Sequence, residues 1–169
     1  MGLFEPPGGA NGRFWERELM EVFVGADYRG LDKKQAVLRF LAQDSSYVVT
    51  DKGDYEYVEG GDFNDSAIAV AKAVRENRGA MGILICDSAH GMTIQANRFK
   101  GIRAAHCENP ESAKLAREHD DANVLCLSAH FMNEEQMKEI ITTFLQTDFN
   151  NLERRVRRIN RLDEREDYD

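Results

Sequence analysis

Short apolar runs recur along this chain, and each is followed by a longer stretch whose apolar residues fall at helical spacing. The clearest is Met81-Gly-Ile-Leu-Ile85, which ends in Cys86, then a small and polar loop, then a segment of helical periodicity. A short run without polar alternation reads as a strand buried on both faces. Such strands alternating with helices predict a parallel sheet with right-handed crossovers and helices on both faces. In that architecture the strand C-termini share one edge, where loop N–H groups and helix N-termini receive ligands. Cys86 falls on that edge.

Taken in order, Glu21–Gly25 is the first strand, and Gly25 and Gly30 bracket Asp27 and Tyr28 on a strand-to-helix turn. Helical spacing over Leu31–Gln43 puts Lys33, Lys34 and Arg39 mostly on the wet side. Tyr47–Thr50 is a second strand, followed by a polar loop from Asp51 to Asp62. Asn64 or Asp65 caps a helix that runs to about Asn77 and ends before Gly79. After the Met81–Ile85 strand come a fourth at Ile102–Ala105 and a helix opened by Asn109-Pro110. A fifth strand, Asn123–Leu127, leads into a helix over Asn133–Gln146, and an arginine-rich helix, Leu152–Asp163, precedes an acidic tail. The strand–helix alternation therefore predicts an α/β fold on a five-stranded parallel sheet. The division expected is an N-terminal arm over 1–20, one domain over 21–150, and a C-terminal helix and tail over 151–169.

Composition removes several functions. The net charge of −8 argues against a general nucleic-acid binder, which needs a basic face, though one basic pocket for an anionic small molecule remains allowed. No apolar run reaches the roughly 20 residues that span a bilayer. The residues over 1–13 lack the apolar core of a secretory signal. Three cysteines, Cys86, Cys107 and Cys126, show no CxxC or Cys/His zinc spacing, so the expectation is reduced thiols in a cytoplasmic protein.

Several residues carry candidate chemistry. Cys86 as thiolate is a potential base or nucleophile if loop amides lower its pKa, but Asp87 sets a carboxylate beside it that should raise it. Ser88 and the N–H groups from Asp87 to Gly91 form a cluster suited to an oxyanion or an enediolate. Asp27, at the end of the first strand, has a plain reading as an Asx-turn or helix cap. His119 is placed to pass a proton to a ring oxygen if its helix ends at the same edge; otherwise it is an exposed helix-end side chain. Arg154, Arg155, Arg157, Arg158 and Arg161 read either as a solvated helix face or as a phosphate-capturing cluster.

The motifs Gly82-Ile-Leu-Ile-Cys86, Gly91-Met-Thr-Ile-Gln-Ala-Asn97, Gly101-Ile-Arg-Ala-Ala105 and Ser112-Ala-Lys-Leu-Ala-Arg-Glu-His119, running on to Leu125, resemble type B ribose-5-phosphate isomerases. The wider group includes the galactose-6-phosphate isomerase subunits, and the resemblance extends from about Val22 to Arg158. It implies a Rossmann-like three-layer domain that acts as a dimer or tetramer on a sugar phosphate, with sites shared between subunits and no metal or cofactor. Carried over residue by residue, Cys86 is the base between C1 and C2, Ser88 and its loop hold the enediolate, and His119 assists ring opening. The substrate-binding set is Asp27, Tyr28, Asp87, Ala89, His90, Gly91, Asp120, His130, Arg155 and Arg157.

The chain also departs from that pattern. Its loop is Cys86-Asp-Ser-Ala-His-Gly91 where the family has Cys-Gly-Thr-Gly-x-Gly, and Tyr28 stands where the family has a phosphate-binding His. Asp120 replaces an Asn, His130 an Arg, and Asn150-Asn-Leu-Glu153 a Gly-Gly-Arg-His segment. The expected function is an aldose–ketose isomerase working through an enediolate. The alternatives are a partner-dependent subunit that binds a sugar phosphate and, from Asp27 and Asp87 at two strand ends, a phosphoacceptor domain.

Overall fold

The computed structural model describes residues 19–164, so the N-terminal arm before Leu19 and the end of the acidic tail lie outside the described residues. Eleven elements follow in order: β1 (Met20–Ala26), α1 (Leu31–Leu41), β2 (Tyr47–Asp51), α2 (Phe63–Glu76), β3 (Met81–Cys86), α3 (His90–Ala96), β4 (Ala104–His106), α4 (Pro110–Asp120), β5 (Val124–Ser128), α5 (Glu134–Gln146) and α6 (Glu153–Asp163). The five strands form one parallel sheet in the order β2-β1-β3-β5-β4. The α/β, Rossmann-like expectation holds.

Strand order reverses between β1 and β3. From β1 the chain steps outward to β2; from β3 it steps the other way, to β4 at the far edge, and β5 then fills the gap. Right-handed crossovers place α2 and α3 on one face and α1, α4 and α5 on the other. Two separate apolar cores result. Val37, Leu41, Ile140, Ile141 and Phe144 pack on one side of the sheet, and Val70, Val74, Met92 and Phe23 on the other. The central strand β3 is buried at every position, as its unbroken apolar run requires. At Gly82 a Cβ would come within 2.8 Å of Val70, so the glycine lets α2 lie close on the sheet.

Local chemistry sets the helix starts. Asn109 with Ser112, and Asn133 with Gln136, form reciprocal capping boxes at α4 and α5. The α2 cap is Asp62, whose side chain accepts from Asn64 N–H, rather than Asn64 or Asp65; the helix begins at Phe63 because that ring packs against the core. The fourth strand begins two residues later than expected. Asn97 accounts for its short edge: its side chain accepts from Ala104 N–H and donates to Ala104 O, standing in for a neighbouring strand.

Lys34 overturns its expected solvent position. It is 0% exposed, and its ammonium pairs with Asp51 at 2.8 Å and donates to the carbonyls of Gly53 and Asp54. Its long stem carries the charge from the packed side of α1 to the end of β2. Among the described residues, no helix is long and apolar enough to cross a membrane.

Candidate active site

The point where strand order reverses is also where chemistry-bearing residues gather. Just after β1, Asp27 N–H donates to Ile85 O at 3.2 Å, tying the β1–α1 turn to the end of β3. The Asp27 carboxylate accepts from Arg29 N–H at 3.0 Å and Gly30 N–H at 2.9 Å, an Asx turn with the side chain buried. A Cβ at Gly30 would sit 2.5 Å from Ile85 O, so glycine is what lets the turn lie against β3. Burial pushes the Asp27 carboxyl above its ordinary value, the N–H groups of Gly30, Arg29 and Asp87 pull it back, and the Asp54 charge raises it further.

Cys86 is the last residue of β3 and is 5% exposed. Ala89 N–H donates to its Sγ at 3.1 Å. Burial pushes the thiol up, the Asp27 charge adds to that, and the N–H groups of Ala89, Met92 and Ser88 oppose both. The carboxylate that bears on the sulfur is thus Asp27, not Asp87 as its adjacency in sequence suggested. Successive residues at a strand end point to opposite faces. Asp87 therefore turns outward, where its carboxylate lies 3.6 Å from His130 Nδ1 with both side chains well exposed.

The loop after Cys86 is short and tightly held. Ala89 adopts φ 68°, the left-handed region that costs an L-residue about 1–2 kcal/mol, and aims its N–H at the thiol. Ser88 is half-buried between them. His90 and Gly91 lie in the first turn of α3 rather than in the loop. Ser128 donates to Asp87 O at 2.6 Å and accepts from Phe131 N–H, and His130 N–H donates to Asp87 O, so the end of β5 braces the loop.

Tyr28 forms the other wall. Its ring meets that of Tyr57 edge to face at 5.3 Å, and its hydroxyl accepts from Arg29 Nε at 3.2 Å. His90 meets His106 in the same way at 5.4 Å, and among the described residues His106 Nε2 is buried without a partner.

His119, Asp120, Arg155 and Arg157 do not join this group within one chain. A crossover helix runs antiparallel to its strands, so α4 starts at the ligand edge and ends at the opposite one. The contacts agree: Arg103, at the start of β4, donates to Asp121 just past α4, and Arg155 Nη1 donates to Glu118 O at 3.0 Å. Arg155 is buried against α4, whereas Arg157 is exposed. The condition set for His119, that its helix end at the edge of Cys86, is not met within one chain, because α4 ends at the opposite edge.

Sequence reasoning passed over Arg29, Tyr57 and His106. Arg29 stood in plain view between Asp27 and Gly30. Tyr57 lies in an aperiodic loop, and His106 falls just past the expected fourth strand, so neither gave a signal. Among the described residues, no three His, Cys, Asp or Glu side chains cluster to hold a metal ion.

A family model described as Ribose/Galactose Isomerase matches residues 22–162. A probable ribose-5-phosphate isomerase B of Mycoplasma pneumoniae is 39% identical over 128 residues, covering 76% of this chain and 84% of that one. A D-erythrulose-4-phosphate isomerase of Pectobacterium atrosepticum is 34% identical, covering 78% of this chain and 86% of that one. The crystal structure of ribose-5-phosphate isomerase B from Mycoplasma genitalium with bound ribulose-5-phosphate superimposes with a TM-score of 0.81 at 34% identity, covering 85% of this chain and 94% of that one.

Proposed function

The chain belongs to the ribose/galactose isomerase family, and we propose that it interconverts an aldose phosphate and its ketose phosphate, of the ribose 5-phosphate and ribulose 5-phosphate type. The observation that carries the reading is Cys86 itself: a thiol at the end of the central strand, at the reversal point, with the N–H groups of Ser88, Ala89 and Met92 turned toward it.

Cys86, as thiolate, takes the proton from C2 of the open-chain aldose, and the electron pair moves to form an enediolate between C1 and C2. The amides of the Asp87–Gly91 loop hold the developing negative oxygen, and the Ser88 hydroxyl passes a proton between the two oxygens in this reading. The thiol then returns its proton to C1 and gives the ketose, so the proton count closes without any other group. Asp27 is positioned to accept from a sugar hydroxyl.

Ring opening by His119 and phosphate capture by Arg157 call for a second chain, because both residues lie at the edge opposite Cys86. We infer a dimer or higher assembly in which that edge of one subunit meets the ligand edge of another. Arg155, already bonded to Glu118 O, serves to fix α6.

The test is a solvent proton-exchange assay at C1 and C2 across tetrose, pentose and hexose phosphates and their unphosphorylated counterparts. Exchange with a phosphorylated sugar supports the reading, and Cys86→Ala should lower turnover by about 10²–10⁴ while the fold persists. Absence of exchange from the wild-type protein across the whole panel overturns it.

A further inference from the structure

The rim of the Cys86 site carries a cation that no step above uses. Arg29 lies on the β1–α1 turn, between Asp27, which bears on Cys86, and Gly30, which rests on the end of β3. Its backbone N–H is bound to the Asp27 carboxylate, so the position of its Cα is set by the turn and not by chance exposure. Its side chain is exposed, yet it has direction. Nε donates to the Tyr28 hydroxyl at 3.2 Å, and the guanidinium carbon lies 5.4 Å from the centre of the Tyr28 ring. Tyr57 in turn holds that ring edge to face.

One edge of the guanidinium is thereby fixed, and the two Nη groups are left as a planar fork. Among the described residues no carboxylate lies within ion-pair distance of it; the Tyr28 hydroxyl first, and the Asp87 charge after it, favour the protonated guanidinium. Neighbouring cations on this edge are committed elsewhere. Lys34 is buried on Asp51 and two carbonyls, and the Lys52 ammonium lies over the Phe23 ring at 5.4 Å. A planar fork with free donors is suited to bidentate contact with a tetrahedral oxyanion, and an unpaired cation binds one without first breaking an ion pair.

We propose that Arg29, braced by Tyr28, is the residue of the Cys86-bearing chain that takes the anionic end of the substrate, a phosphate monoester. This rests on the reading of the site as a sugar-phosphate isomerase, and it makes Arg29 the contribution of the Cys86-bearing chain, beside Arg157 of the second chain, to selecting phosphorylated over free sugars.

The experiment compares wild type, Arg29→Gln and Arg29→Lys by calorimetric titration with inorganic phosphate and by steady-state kinetics on ribose 5-phosphate, with free ribose as a competitive inhibitor. Arg29→Gln should weaken phosphate binding and raise KM for ribose 5-phosphate about tenfold, about 1.4 kcal/mol. Its kcat should change much less, inhibition by ribose should be unmoved, and Arg29→Lys should recover part of the loss. Unchanged phosphate affinity and KM, or an equal loss on free ribose, overturns the proposal. If the wild-type protein turns over no sugar phosphate, the isomerase reading fails, and the phosphate titration still decides the role of Arg29.

Discussion

The carboxylate of Asp27 bears on the thiol of Cys86 across the adjoining ends of β1 and β3, and it adds to burial in raising the pKa of that thiol. A raised thiol pKa means the thiolate fraction grows only as pH climbs past the ordinary thiol range. Alkylation of Cys86 by iodoacetamide, followed by peptide mass spectrometry, should therefore show an alkaline limb. Asp27→Asn keeps the acceptor oxygen for the Arg29 and Gly30 N–H groups but removes the charge, so the limb should move to lower pH. An unmoved limb would mean that burial alone sets the sulfur. Cys107 and Cys126, buried and pushed up to about 11 and about 12, serve as unreactive internal controls.

His106 gives a prediction of opposite sign. Burial, its principal cause, lowers the pKa of this imidazole, and the nearby His90 acts in the same direction against Glu108. A base with a depressed folded-state pKa is neutral in both states at higher pH and costs nothing there. As pH falls below the ordinary histidine value the unfolded chain takes up a proton first, so stability is lost. His106→Val should unfold within about 1 kcal/mol of wild type at pH 7.5, because losing an edge-to-face contact worth about 0.5–1.5 kcal/mol offsets release of the unpaired Nε2. At pH 5.5 the variant should have lost less stability than wild type. Equal losses in urea titrations at the two pH values would remove His106 from the acid response.

Lys34 is the interior charge with the most to lose. Lys34→Met keeps the stem but strands the Asp51 carboxylate, which is only 22% exposed, and leaves the Gly53 and Asp54 carbonyls without their donor. The expected cost is about 3 kcal/mol in urea unfolding, the order found for breaking a buried pair. Adding Asp51→Asn should recover part of it by removing the stranded charge. Full stability in the single variant would show that water replaces the ammonium there.

The same lysine shows what the sequence could and could not disclose. Bounded apolar runs and helix-spaced segments carried the layer architecture, because burial on both faces of a parallel strand leaves a one-dimensional trace. Cys86 and Asp27 were legible for the same reason, since strand ends mark the ligand edge. Lys34 was not, because helical spacing assigns a face to Cα but says nothing of how far a flexible stem carries its charge. Asp87 was misjudged because neighbours in sequence at a strand end point apart. His119 needed the direction of α4 relative to the sheet, which follows from the crossover rule only when the helix end is traced to its edge.

That separation of edges leads to the last prediction. If Cys86 of one chain works with His119 of another, each site of a two-fold dimer draws on both chains. Cys86→Ala and His119→Ala homomers should then be severely and partly impaired, respectively. Mixed, dissociated and reassociated, they should form hybrids in which one site carries both lesions and the other carries none. With random exchange, half the dimers are hybrid, so about a quarter of all sites become intact and activity should exceed the mean of the two parents. A hybrid whose Cys86 and His119 act within one chain gains nothing, because every site retains a lesion. Activity that stays at the parental mean after verified subunit exchange would therefore rule out a site in which Cys86 of one chain works with His119 of the other.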